Sequence, residues 1–346
     1  MSPSLPKTYK AAVIEQNNAP LTIKDLPLKE PQDGQILVKV KACGVCHSDE
    51  IVRAGMMGTP YVARPLPIVP GHEVIGEVVA LGPREKKWKV GDSVGGPWHG
   101  GHDGVCRQCN RGLFQMCDNE AINGVTQDGG YAEYVLLRSE AAVRIPQGID
   151  AVEAAPLLCA GVTVFNAIRQ VKVLAGGTVA IQGLGGLGHL ALQYSRKMGY
   201  RTVALSRDAT KKDFATKLGA TDYIDSSQQN TAEALQKIGG ADLIVVTAPN
   251  PEIMGDLING CAAGGTVIIL APVGEIKVNT IPMIGKGISV RGWPSGHALD
   301  AEEAIAFAQT HGVHCMVEKF PLSQANEAFE HMLSGKVRFR AVLTME

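Results

Sequence analysis

The sequence predicts an α/β chain in two parts: an irregular, strand-rich part followed by a doubly wound parallel sheet. Three observations predict it. Pro and Gly, among them Pro60, Pro65, Pro67, Pro70 and Gly71, punctuate short alternating runs in the first 155 residues. From about Gly177 onward, short apolar runs alternate with helical patterns. A glycine-rich turn, Gly183-Leu184-Gly185-Gly186-Leu187-Gly188, stands between the first of those runs and a helical one.

Taken in order, residues 36–41 (Ile-Leu-Val-Lys-Val-Lys) and 74–79 (Val-Ile-Gly-Glu-Val-Val) alternate at the period of a half-buried strand. Residues 178–181 form a short buried strand, and Leu190, Ala191, Tyr194 and Met198 follow the glycine turn at helical spacing. A strand at 201–205 and a helix at 211–218, stopped by Gly219, come next. Strands at 223–224, 243–246, 266–270 and 288–290 complete a series of six. The tail reads as helices at 301–309 and 322–333 and a last strand at 339–343.

The 346 residues suit about two domains of roughly 150 each. With 45% hydrophobic and 19% charged residues, the chain has material for packed cores and is not a disordered one. The net charge of −1 supplies no field for nucleic acid or an anionic membrane, so neither is an expected partner. No run approaches the ~20 apolar residues of a membrane span. Lys7 and Lys10 lead into no apolar segment, so a secretory leader is not expected and the expected location is the cytoplasm. The eight cysteines are then read as thiols or metal ligands before disulfides.

Two motifs carry chemistry on their own terms. In the glycine turn, the first Gly permits the tight bend, the second lets the backbone approach a pyrophosphate, and the third lets helix pack on strand. The helix start adds N–H groups and a partial positive charge for phosphates. The strand that follows ends at Ser206-Arg207, where an NAD enzyme would carry a carboxylate for the ribose hydroxyls. Ser206, Arg207 and Lys211 suit a phosphate there, so NADP(H) is favoured; NAD(H) is the other option if Asp208 turns inward. The second motif is Asp103-x2-Cys106-x2-Cys109-x7-Cys117, the spacing of a structural zinc loop with a carboxylate as fourth donor. His99 or His102 is an alternative fourth donor.

Six motifs together, Gly44-Val-Cys-His-Ser-Asp49, Pro70-Gly-His-Glu73, the Cys106/Cys109/Cys117 loop, Asp128-Gly-Gly-Tyr-Ala-Glu133, Leu158-Cys-Ala-Gly-Val-Thr163 and the glycine turn, resemble one family. The chain resembles, over nearly its whole length, the zinc-dependent alcohol dehydrogenases of the medium-chain dehydrogenase/reductase superfamily, and among them the microbial, yeast-type members. The resemblance implies a GroES-like catalytic domain over 1–155 plus 298–346 and a Rossmann nucleotide-binding domain over 156–297. It implies a catalytic zinc held by Cys46, His72 and Cys159, which spacing alone does not link, and so two zinc ions per chain. Glu73 lies behind that zinc as an occasional ligand, and Asp49 fixes the His72 tautomer. Ser48 takes the place of the proton-relay hydroxyl. His47 and Arg340 are expected at the pyrophosphate and Thr163 at the nicotinamide, with Thr247 and Val273 also at the cofactor. Met57, Trp98 and Trp293 are expected, with Ser48, to line the pocket for a primary alcohol or aldehyde. A homodimer or homotetramer is the implied assembly.

One departure stands out. Yeast-type members carry a second relay histidine where this chain has Ile51. The relay is then expected to stop at Ser48 and the nicotinamide ribose, with aldehyde reduction favoured over alcohol oxidation near neutral pH. Two rival readings are a zinc-free quinone or enoyl reductase of the same superfamily and a non-catalytic binding protein. Cys43, Cys261 and Cys315 read as buried thiols, and His189 as partly exposed.

Overall fold

The computed structural model describes residues 5–56 and 64–345. It divides into two compact units. The first comprises Met1–Cys159, Gly296–Ala306 and Cys315–Glu346, and the second Ala160–Ser295 and Phe307–His314. Cys159 therefore groups with the first unit and 307–314 with the second, against the expected boundaries at 155 and 298.

The first unit is built on a sheet of seven strands. Its order is Val317–Pro321, Arg340–Thr344, Gln35–Gly44, Val74–Leu81, Ser93–Gly96 and Val143–Arg144, with Tyr134–Arg138 also paired to Gln35–Gly44. Along Gln35–Gly44, Val38, Val40 and Ala42 are buried while Lys39 and Lys41 are exposed, the alternation that a one-face-buried strand requires. The core gathers Ile36, Val74, Val94, Tyr131 and Phe329 among others. Two short ribbons flank it, Thr8–Val13 on Thr22–Pro27 and His99–Gly101 on Ala121–Ile122.

The second unit carries the parallel sheet in the order Asp222–Asp225, Arg201–Ser206, Thr178–Gln182, Ala241–Val246, Cys261–Ile269, Ser289–Gly292. Numbered along the chain this is 3-2-1-4-5-6, the Rossmann order, whose reversal lies between Thr178–Gln182 and Ala241–Val246. Thr178–Gln182 is buried along its whole length, as a strand covered on both faces must be. Thus the expected strand-rich part and the expected Rossmann sheet are both present. Several elements escaped the sequence reading, among them the following two. Val317–Pro321 is a half-exposed edge strand of mixed polarity, and Thr231–Lys237 is a single short helix capped by Asn230. His189, expected to be partly exposed, is fully buried with Nδ1 against the carbonyl of Gly185 at 3.1 Å. Among the described residues no single helix is long and apolar enough to cross a membrane.

Candidate active site

Three strands of the first unit converge on one point. Cys43 pairs with Val74, so the segment leaving Gln35–Gly44 lies beside the residues entering Val74–Leu81. The amide of Gly44 donates to the carbonyl of Glu73 at 3.1 Å. Val342 pairs with Gly44 from the other side, and the amide of Val45 donates to the carbonyl of Ala341 at 2.8 Å. Cys46, His72-Glu73 and Arg340 are therefore neighbours by sheet register. Cys159 joins them from the end of the turn Ala155–Leu158, which is entirely buried.

Ligand atoms of Cys46, His72, Glu73 and Cys159 all lie within 4.8 Å of one another. The two sulfurs are 3.9 Å apart. Two sulfurs bound to one zinc at ~2.3 Å and a tetrahedral angle would stand about 3.8 Å apart, so the spacing fits. His72 and Glu73 are wholly buried, yet His72 Nε2 and Glu73 Oε2 have no hydrogen-bond partner, Oε1 being paired with Arg340 at 3.2 Å. Buried polar atoms left so cost about 1–3 kcal/mol each, and a cation between them would relieve that. The donor set of two thiols, an imidazole and a carboxylate suits zinc.

The surroundings tune these groups. The hydrogen bond with Cys159 draws the Cys46 thiol well below its ordinary range against the effect of burial, helped by Arg340 and His72. Cys159 is held high by the same contact and by burial. Burial pushes Glu73 up to about 7, although Arg340 opposes it. Burial pulls His72 down, but the charges of Asp49 and Cys46 outweigh it and leave the imidazole above its usual range. Asp49, itself fully buried, places Oδ1 at 3.1 Å from His72 Nδ1, near enough for an ion pair though not aligned as a hydrogen bond. Its Oδ2 accepts from the Cys46 amide at 3.0 Å and from the Tyr131 hydroxyl at 2.8 Å.

Arg340, expected at a pyrophosphate, is 5% exposed, with its guanidinium 3.2 Å from Glu73 and donating to the carbonyl of Val45 at 3.3 Å. Its partner in the structure is the carboxylate behind the cysteines. Sequence reasoning missed this pairing because the two residues meet only through strand pairing. Ser48 sits in the first turn of helix His47–Arg53, its Oγ 3.8 Å from Cys46 Sγ. His47 is exposed beside it. The Trp98 ring meets the His72 ring edge-on, with centroids 4.9 Å apart. Met57 lies outside the described residues.

The second cluster is local. Asp103, Cys106, Cys109 and Cys117 offer donor atoms within 4.8 Å of one another. Amides of Asp103, Cys109 and Asn119 point at the sulfurs of Cys117 and Cys106 at 3.3–3.4 Å, as thiolates would favour. The alternative histidines turn elsewhere: His99 Nε2 lies 3.1 Å from His102 Nδ1, and His99 Nδ1 lies 3.0 Å from Glu120. Asp103 is thus the fourth donor within reach of the three sulfurs.

In the second unit, Gly183 has φ +92°, open to glycine, and a Cβ on Gly188 would fall 2.0 Å from the carbonyl oxygen of Gly183. A Cβ on Gly185 would meet nothing, which leaves that face of the turn open to a ligand. Leu184 is buried under the turn, and Gly186 and Leu187 complete it. The Thr247 hydroxyl donates to the carbonyl of Gln182 at 2.7 Å, and Val273 is 8% exposed. Asp208 Oδ1 accepts from the amide and hydroxyl of Thr210 at 2.9 and 2.7 Å, so this carboxylate caps the next turn. Ser206 ends its strand, with exposed Arg207 after it and Lys211 one turn on. The Thr163 hydroxyl donates to Ser295 at 3.1 Å, and Trp293 is half-buried with its indole N–H unpartnered.

Residues 32–147 match the alcohol dehydrogenase GroES-like domain, and residues 186–310 match the zinc-binding dehydrogenase family. Alcohol dehydrogenase patD of Penicillium expansum is 57% identical over 345 residues, covering 100% of both chains. An alcohol dehydrogenase of Geobacillus stearothermophilus is 36% identical over 339 residues, covering 97% of this chain and 99% of its own. The structure of acetophenone reductase from Geotrichum candidum in complex with NAD superimposes with a TM-score of 0.85 at 26% identity, covering 99% of this chain and 98% of that one.

Proposed function

This chain belongs to the zinc-type medium-chain alcohol dehydrogenases, oxidoreductases that take a nicotinamide cofactor, and from that premise we propose how its own residues divide the work. The proposed reaction is hydride transfer between NADP(H) and a primary alcohol or its aldehyde. The observation that carries it is the buried Cys46–His72–Glu73–Cys159 cluster, whose donors converge within 4.8 Å.

Zinc, when bound by Cys46, His72 and Cys159, supplies a Lewis acid that polarises a carbonyl or lowers the pKa of an alcohol. The nicotinamide supplies the hydride. Asp49 orients His72 through Nδ1, leaving Nε2 toward the cluster. Glu73, held by Arg340, offers a further carboxylate behind the sulfurs. Ser48, next to Cys46, passes the proton to or from the substrate oxygen. Trp98, whose ring packs edge-on against His72, is proposed to favour slim or flat substrates. The glycine turn, Thr163, Thr247 and Val273 are proposed to hold the cofactor, with His47 at its pyrophosphate. Arg207, Ser206 and Lys211 are proposed to select NADP(H), a reading supported by the Asp208 carboxylate being engaged at Thr210. Asp103, Cys106, Cys109 and Cys117 are proposed to hold a second, structural zinc. With Ile51 in place of a second relay group, aldehyde reduction is the favoured direction near neutral pH. The chain is read as a homodimer or homotetramer on the resemblance alone.

A panel of aldehydes assayed with NADPH and with NADH, with and without a chelator, tests this reading. Reduction that needs the metal and prefers NADPH supports it; activity indifferent to complete zinc removal overturns it.

A further inference from the structure

We propose that Tyr131 is a positioning residue for the metal cluster and acts through Asp49. The inference rests on the zinc reading of Cys46, His72 and Cys159 given above. Tyr131 has no exposed surface, and its hydroxyl donates to Asp49 Oδ2 at 2.8 Å. The same oxygen accepts from the Cys46 amide at 3.0 Å, while Oδ1 faces His72 Nδ1 at 3.1 Å. One carboxylate thus ties the loop of one sulfur ligand to the ring of the imidazole ligand. Rotation of that carboxylate would loosen both, and the Tyr131 hydroxyl is the side-chain donor that fixes its plane.

The phenol is itself held by the backbone around the site. The Tyr131 amide donates to the carbonyl of Pro70 at 3.0 Å, and its own carbonyl accepts from the Ala12 amide at 2.8 Å. Its ring lies against Gly71, where an added Cβ would be 2.4 Å from Cδ1. Gly71 has φ +104° and immediately precedes His72. Tyr131 is therefore wedged against the turn that delivers His72 while its hydroxyl reaches the carboxylate that orients the same ring. With Asp49 so fixed, its Oδ1 stays beside Nδ1 and the ring's other nitrogen, Nε2, is left for the metal. Loss of a partner that orients a ligand typically costs about 10–100-fold in metal affinity.

The test uses the full chain carrying Tyr131→Phe, which keeps the ring and removes the hydroxyl. Zinc affinity is read by competition with a chromophoric chelator, and ligand geometry by the visible spectrum of the cobalt-substituted protein. The expected result is zinc affinity at least about tenfold weaker at the catalytic cluster, an altered cobalt spectrum, and unchanged affinity at the Asp103 cluster. In an Asp49→Asn background the added Tyr131→Phe change should have little further effect, because the path runs through Asp49. Wild-type affinity and spectrum in the variant, with only a lower Tm, would overturn the proposal. So would an undiminished effect in the Asp49→Asn background. A wild-type chain that binds no ion at Cys46, His72 and Cys159 would overturn the zinc reading itself, and the proposal with it. If Tyr131→Phe does not fold, 3-fluorotyrosine placed at position 131 makes a stronger donor on the same ring. Slower zinc release then supports the proposal, and an unchanged rate overturns it.

Discussion

Cys46 Sγ and Cys159 Sγ stand 3.9 Å apart although 113 residues separate them in the chain. One residue follows a sheet strand and the other follows a buried turn, so nothing local holds the two thiols together. A metal bridging them gives a definite expectation. The wild-type chain should carry two zinc ions, and Cys159→Ser and Cys106→Ser should each carry one. Cys159→Ser should lose about a thousandfold or more in kcat/KM, since the Lewis acid contributes several kcal/mol and each ~1.4 kcal/mol is tenfold. Cys106→Ser should lower Tm first. Elemental analysis with steady-state assays separates the two, and a wild-type ratio of one would remove the Asp103 site.

Ser48 lies two residues after Cys46, its Oγ 3.8 Å from the sulfur. If it moves the proton, Ser48→Ala should lower kcat by about 10²-fold or more, while Ser48→Thr should keep most of it. Zinc content should not change in either variant. Ile51→His, which supplies the relay group this chain lacks, should raise alcohol oxidation near pH 7 relative to aldehyde reduction. Equal oxidation and reduction rates in the wild type at that pH would count against the role given to Ile51.

What the sequence made legible follows physical locality. The inner parallel strands Thr178–Gln182, Arg201–Ser206 and Ala241–Val246 show as apolar runs because strands covered on both faces have no polar alternation to hide them. The Asp103–Cys117 loop shows because all its donors fall within fifteen residues. Cys46, His72 and Cys159 were linked only by resemblance, since sheet register and a buried turn bring them together. The Arg340–Glu73 pair and the Tyr131–Asp49 bond had no spacing signal at all, because each joins residues from separate elements. His189 was misjudged for a related reason: a polar residue on the helix after the glycine turn reads as exposed, yet the carbonyl of Gly185 gives it a buried partner.

Glu120 and His99 form a buried pair, 3.0 Å apart, beside the Asp103 loop. Burial pushes Glu120 up to about 8 and pulls His99, by the same cause, down to about 4. Between its unfolded pKa near 4.3 and about 8, the folded Glu120 holds a proton that the unfolded chain lacks, so its contribution falls as pH rises. His99 acts in the opposite sense between about 4 and its unfolded value near 6.5. The two slopes oppose one another below pH 6.5, and only the Glu120 slope, at most about 1.4 kcal/mol per pH unit, remains from there to pH 8. Glu120→Gln should therefore lose less stability than the wild type between pH 6.5 and 8. Denaturant unfolding of the zinc-loaded chains at those two values checks it, and parallel pH profiles would refute it.

Arg207 follows the strand end at Ser206 and is exposed, while the neighbouring carboxylate of Asp208 is engaged in capping the next turn at Thr210. A bound 2′-phosphate would then meet the Arg207 guanidinium and the Ser206 hydroxyl, with the Asp208 carboxylate engaged at Thr210. Charge-assisted hydrogen bonds contribute about 1.5–3 kcal/mol, or roughly 10–100-fold at 1.4 kcal/mol per tenfold. Arg207→Ala should therefore lower kcat/KM for NADPH by about 10–100-fold, mostly through KM, and leave NADH nearly unchanged. Ser206→Asp, which places a carboxylate at the strand end, should reverse the preference by repelling the phosphate and accepting from the ribose hydroxyls. Competition between the two cofactors in one assay reads both variants directly. A wild-type chain that already prefers NADH, with Arg207→Ala without effect, would assign Arg207 to solvent and return the choice of cofactor to Asp208.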